Sequence, residues 1–147
     1  MFIVNVEGAI CRDDQWLIIE RSKQEEHAGG LLSLVGGKVE LEGNSSNILE
    51  RTVIREIFEE VDVKVKERLQ YIHSTSFVAD TGEHVVDVVF LCEYESGIAK
   101  VKSTDEVEAV SWMTAQQVFN HPNAPDYLKE SIRLAEKKRE TIRFQSV

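Results

Sequence analysis

The run from His84 to Tyr94 constrains the chain most. Val85, Val86, Val88, Val89, Phe90 and Leu91 place bulky apolar side chains on both alternations of a strand. A strand buried on both faces lies inside a sheet, so the fold must supply a layer on either side of it. From residue 47 or 48 to about Val61, the spacing instead predicts a helix. Val53, Ile54, Ile57, Phe58 and Val61 fall on one arc that can pack inward. Asn47 with Glu50 three residues later fits a capping box at its start.

The remaining elements follow in order. Val4, Val6, Gly8 and Ile10 alternate with Asn5, Glu7 and Ala9, the period of a half-buried strand. Asp13-Asp14 reads as a turn and Trp16–Glu20 as the returning strand. Ser22 to Gly30 reads as a loop, and Leu31, Leu32, Leu34 and Val35 lead into Gly36-Gly37, read as a turn. Val63 opens a strand region to about Phe77, closed by a hairpin turn at Asp80-Thr81-Gly82. After a mobile polar stretch from Lys100 to Glu106, Val107–Trp112 forms a further strand. Thr114 and Gln117 make a capping box for a short helix ending before Pro122. Pro125 suits the first turn of a last helix, with Leu128, Ile132 and Ala135 on one face and Lys137, Lys138 and Arg139 closing it. The expected fold is one α/β domain over residues 1–147, a mixed β-sheet covered by helices.

The predicted central helix also carries the chemistry. Glu59 and Glu60 follow Glu56 by three and four residues, so three carboxylates share one face. Like charges at that spacing repel unless a cation neutralises them, and a divalent metal is the obvious one. The chain's net charge of −9 argues against a bare electrostatic grip on a nucleic-acid duplex or an anionic membrane. Bound cations would invert that field locally and open the site to phosphates. Cys11 and Cys92 read as small core residues in a reducing compartment. The N-terminal stretch has no basic n-region, and no run approaches the ~18 apolar residues of a membrane span. A soluble cytoplasmic protein is the expectation. His27, His73, His84 and His121 show no metal spacing, and Trp16 and Trp112 read as core.

Arg55-Glu56-Ile57-Phe58-Glu59-Glu60-Val61-Asp62-Val63, preceded by Gly36-Gly37-Lys38-Val39-Glu40, resembles the Nudix hydrolase box, G-x5-E-x7-R-E-U-x-E-E-x-G-U with U bulky and apolar. The likeness extends over roughly residues 2 to 138. Three departures stand out. The loop between Gly37 and Arg55 is four residues longer than the box spacing, Asn47 stands where the box has its first Glu, and Asp62 stands at the late Gly. The resemblance implies an α/β/α sandwich and a metal-dependent hydrolase, with Glu56, Glu59, Glu60 and the Gly36 carbonyl binding Mg²⁺ or Mn²⁺. It gives Arg55 the task of holding the box together, and Glu106 that of general base or further ligand, with Asp105 and Glu108 as competitors. Arg21 and Lys38 become phosphate contacts. The substrate would be a nucleoside diphosphate linked to another moiety. The alternatives are a non-catalytic module of this fold that binds a nucleotide-like ligand as a regulator, and an unrelated acidic domain whose helix is only solvated. A homodimer is compatible with either Nudix reading.

Overall fold

In the computed structural model, which describes residues 1–25 and 28–145, the valine-rich run is strand β7 (His84–Ser96). It lies parallel to β1 (Phe2–Arg12), from Phe2 opposite His84 to Cys11 opposite Glu93. β1 is not half-buried as expected. Val6 and Gly8 to Cys11 are all buried, because strands flank β1 on both edges and helices cover both faces. One side packs Val6 and Ile10 against α1 (Ile48–Val61), and the other packs Ala9 and Cys11 against α3 (Asp126–Gln145). The α/β/α sandwich is therefore as predicted, and the sheet is mixed.

Four further strands complete the edge of β1. β4 (Val35–Lys38) runs antiparallel to it, with Val6 opposite Gly37 and Glu7 opposite Gly36, so the glycine pair lies in a strand and not in a turn. β2 (Gln15–Arg21) pairs with β1 only next to the Asp13-Asp14 turn, then diverges to pair with β3 (Leu32–Ser33) and β8 (Val107–Thr114). On the other edge of β7, the expected single strand from Val63 is two, β5 (Lys64–Val65) and β6 (Gln70–Val78). Between them Lys66-Glu67-Arg68 offers no apolar alternation to hold a ladder, and these residues are exposed.

The two capping boxes come out differently. Thr114 accepts from the Gln117 backbone N–H at 3.2 Å while the Gln117 side chain accepts from the Thr114 N–H at 2.8 Å, opening α2 (Ala115–Phe119) as predicted. Asn47 makes no side-chain cap, because its φ of 57° and ψ of 35° are left-handed and a cap needs an extended residue. α1 nevertheless buries Val53, Ile57 and Val61 completely, each worth about 1.5–3 kcal/mol. Phe58 departs from the predicted inward arc. It is half exposed, with Lys102 Nζ 4.2 Å above its ring. Asp62 ends the helix in a left-handed conformation, φ 61°, as a residue at a glycine position must.

The polar stretch after β7 is strapped to that helix end. Lys100 N–H donates to the Val61 carbonyl and Lys102 N–H to that of Glu60. α3 also runs beyond its predicted close at Lys137, Lys138 and Arg139, with Arg143 in its last turn. Cys11 and Cys92 are buried thiols with no disulfide between them. Among the described residues no helix is long and apolar enough to cross a membrane. His27 lies outside the described residues.

Candidate functional site

β4 fits between β1 and α1 because two of its residues carry no side chain. A Cβ at Gly36 would collide with the Val6 backbone carbonyl oxygen, and one at Gly37 would stand 2.5 Å from the Glu56 carboxyl carbon. With glycine at both places, the Glu56 carboxylate rests directly over β4. Arg55 then bridges outward, its Nη1 3.2 Å from Glu56 Oε1 and 3.2 Å from Glu59 Oε2. The strap that pins the C-terminal end of α1 leads into Glu106, whose side chain meets Glu60. Three successive sequence features thus converge on one corner.

Glu60 is the most unusual of the four acids. It is 6% exposed, and its Oε2 has no hydrogen-bond partner. Burial, a hydrogen bond with Glu106, and the charges of Glu106 and Glu56 push its pKa up to about 9. Glu56 is also raised, chiefly by burial, with Arg55 pulling the other way and Glu59 and Glu106 adding to the rise. Glu59, expected to share their metal face, has its side chain 55% exposed and turned to Arg55. Among the described residues no three Asp, Glu, His or Cys side chains are already gathered as a ligand cage. The donors still suit a hard divalent cation. They are oxygen-only, crowded, and one is buried without a partner where a cation would satisfy it.

Glu60 and Glu106 also line a cavity of about 630 Å³ with Gly36, Gly37, Lys38 and Arg21. Asp105 and Glu108 do not line it, whereas Glu106, exposed like them, does. Arg21 is held near Glu25 at 3.7 Å. The enlarged loop before α1 is tied down by Arg51, which pairs with Glu42 at 2.7 Å and donates from Nε to the Ser46 carbonyl at 3.0 Å. Arg55 faces a separate surface groove behind α1 and does not line the cavity.

Sequence reading missed the far wall of this cavity. Glu7 and Asp87 line it together with Phe77 and Tyr127. Burial first, and then a mutual hydrogen bond, hold the Glu7 carboxyl well above the usual range. Asp87 is raised as well, mainly by burial, with His73 beside it lowering it. The signal was a lone acid at Asp87 within the valine run of β7, where a charge has no place unless it is used.

A cluster of carboxylates, one of them buried, thus opens on this cavity of a mixed sheet between helices. Comparison with known proteins makes the assignment. The NUDIX domain model matches residues 1–134, and the chain belongs to the NUDIX domain family. It is 32% identical over 88 residues to the NAD-capped RNA hydrolase NudC of Photorhabdus laumondii, a match over 60% of this chain and 30% of the relative. The chain therefore spans about 30% of that relative's length. Among solved structures it is similar to a MutT NUDIX hydrolase from Burkholderia pseudomallei, at TM-score 0.75 and 27% identity over 91% of this chain and 98% of the other. The NUDIX domain of Shewanella oneidensis NrtR, solved with ADP-ribose, shares the fold at TM-score 0.73 and 19% identity, covering 94% and 88%.

Proposed function

We propose that the protein is a divalent-metal-dependent hydrolase that cleaves the phosphoanhydride of a nucleoside diphosphate linked to another moiety. The observation that carries this reading is Glu60, buried and unpartnered at Oε2, beside Glu56 and Glu106 at the rim of the cavity. Mg²⁺ or Mn²⁺ held by Glu56, Glu59, Glu60 and the Gly36 carbonyl would neutralise the diphosphate and activate water. Arg55 orients Glu56 and Glu59 from its single Nη1. Arg21 and Lys38 bind phosphate oxygens from the cavity wall. Glu106, hydrogen-bonded to Glu60, is placed to take the proton of the attacking water or to complete the metal site. Glu59 must swing inward from Arg55 to join the ligand set, a side-chain movement at an exposed position. Small nucleotide derivatives are the partners, and the cytoplasm is the compartment of action.

A screen of nucleoside diphosphate derivatives with Mg²⁺ and with Mn²⁺ tests the reading. Turnover that disappears on chelation, and in Glu59→Gln and Glu60→Gln, supports it. The second reading, a non-catalytic regulator, is motivated by the uncapped Asn47 and the outward Glu59. Nucleotide binding without turnover under either metal would favour it.

A further inference from the structure

The strap between β7 and β8 is fastened to the end of α1 by its backbone, the Lys102 N–H at 2.9 Å from the Glu60 carbonyl and the Lys100 N–H at 3.1 Å from that of Val61. Helix-end carbonyls accept from any N–H that reaches them, so these two bonds do not choose between neighbouring registers. Side chains make that choice. Lys102 Nζ lies 3.4 Å from Asp62 Oδ1 and 4.2 Å above the Phe58 ring, and Lys100 Nζ lies 3.6 Å from Asp62 Oδ2. Asp62 thus holds one lysine on each carboxylate oxygen. This accounts for two departures met earlier. Asp62 stands where the Nudix box has glycine, and it keeps a left-handed φ of 61° that glycine would adopt more easily. Phe58 is apolar yet half exposed, and its face is where Lys102 rests.

We infer that Asp62 and Lys102 are positioning residues for the hydrolytic reaction: their ion pair fixes the strap in the register that presents Glu106 at the cavity rim with Glu60. The inference rests on the reading of Glu106 as base or further ligand. From Lys102 the chain reaches Glu106 through one closed turn. The N–H groups of Glu106 and Val107 both donate to the Ser103 carbonyl, at 3.2 and 2.9 Å, and the Ser103 hydroxyl lies 3.4 Å from Glu106 Oε2. Beyond the turn, the Glu106 carbonyl accepts from the Ser22 N–H at 2.9 Å. A shift at Lys102 is therefore passed on to Glu106, which lines the cavity together with Glu60. Exposed ion pairs add little to overall stability. A carboxylate displaced from its working position nevertheless loses much of its effect on rate. The pair's contribution is thus to placement. A glycine at 62 would end the helix with less strain and offer the lysines nothing.

Asp62→Gly in the full chain separates placement from stability. Its melting temperature should be no lower than that of the wild type, since the left-handed φ suits glycine. In metal-free protein, hydrogen exchange at the Lys100 and Lys102 N–H groups should quicken about ten-fold, while exchange in α1 around Val53 and Ile57 stays unchanged. With Mg²⁺ and a nucleoside diphosphate derivative that the wild type hydrolyses, kcat should fall about ten-fold and KM stay within about two-fold. Asp62→Asn, equal in shape and tolerant of the left-handed region, should lose as much, whereas Lys102→Arg keeps the charge and should stay within about two-fold of the wild type. In a Glu106→Gln background, Asp62→Gly should change kcat by less than about two-fold, because the group it misplaces is already gone. Full activity in Asp62→Gly, unchanged exchange at both strap amides, or equal losses with and without Glu106 would each overturn the inference and leave the hydrolase reading standing. A wild type that hydrolyses no derivative under either metal would overturn both.

Discussion

Glu60 illustrates how one residue records what its surroundings lack. Its pKa of about 9, against an ordinary 4.5, means that the folded chain keeps a proton the unfolded chain has released. Folded protein binds more protons across that window, so stability falls as pH rises from about 4.5 towards 9. Glu56, Glu7 and Asp87 are raised too and act in the same direction. In chelator, the urea midpoint should therefore decline between about pH 6 and pH 9. Glu60→Gln, which never ionises, should flatten part of that slope: equal to wild type near the acid end and more stable near the basic end. The same variant should lose activity by about two orders of magnitude or more. The glycine pair provides a second residue-scale contrast. Gly37→Ala meets only the far end of the Glu56 side chain, whereas Gly36→Ala meets Val6 backbone. Gly37→Ala should fold with a near-normal melting temperature and lose activity about 100-fold through a misplaced carboxylate. Gly36→Ala should lower the melting temperature outright, which a thermal scan of the two proteins would show.

At the scale of elements, the sequence was most readable where periodicity was strong and least where backbone conformation or a distant partner decided. β7 and α1 followed from apolar spacing, and Thr114 capped α2 as its neighbours required. The identical argument failed at Asn47, because a capping box specifies side chains and the left-handed φ there is a property of the loop before it. Phe58 sat on the predicted arc but meets Lys102 of the strap, an approach encoded some forty residues away. Of the candidate site, the helical acids and the glycine pair were legible because they are local. The Glu7–Asp87 wall was not, because only a parallel pairing across most of the chain creates it. The caps make a prediction of their own. Thr114→Ala removes the hydroxyl that accepts from the Gln117 N–H, while the backbone N–H at 114 can still donate to the Gln117 side chain, and it should cost about 1 kcal/mol in a denaturant titration. Asn47→Ala removes no side-chain hydrogen bond, so its effect should come only from strain at positive φ.

For the molecule as a whole, the acidic corner couples ligand binding to folding. A cation that binds the folded site and not the unfolded chain stabilises by about 2.7 kcal/mol at one hundred times its dissociation constant. For a domain of this size that corresponds to a melting temperature higher by several degrees. Differential scanning calorimetry should show the rise with Mg²⁺ or Mn²⁺, no comparable rise with NaCl of equal ionic strength, and a much smaller one in Glu60→Gln.

The parallel union of β1 and β7 has a consequence during synthesis. β1 is made first, yet the strand that covers one of its long edges lies more than eighty residues later. Until β7 emerges from the ribosome, the apolar tract from Val6 to Cys11 waits without its partner, the situation in which nascent chains stick to one another. Glu7 interrupts that tract with a charge. In the nascent chain its carboxyl is in water and ionised, and it serves as a guard against strand-to-strand aggregation. When β7 docks, burial beside Asp87 raises the same carboxyl well above its usual range. The side chain that protects the growing polypeptide is thus converted, by the long parallel pairing with β7, into part of the wall of the finished cavity.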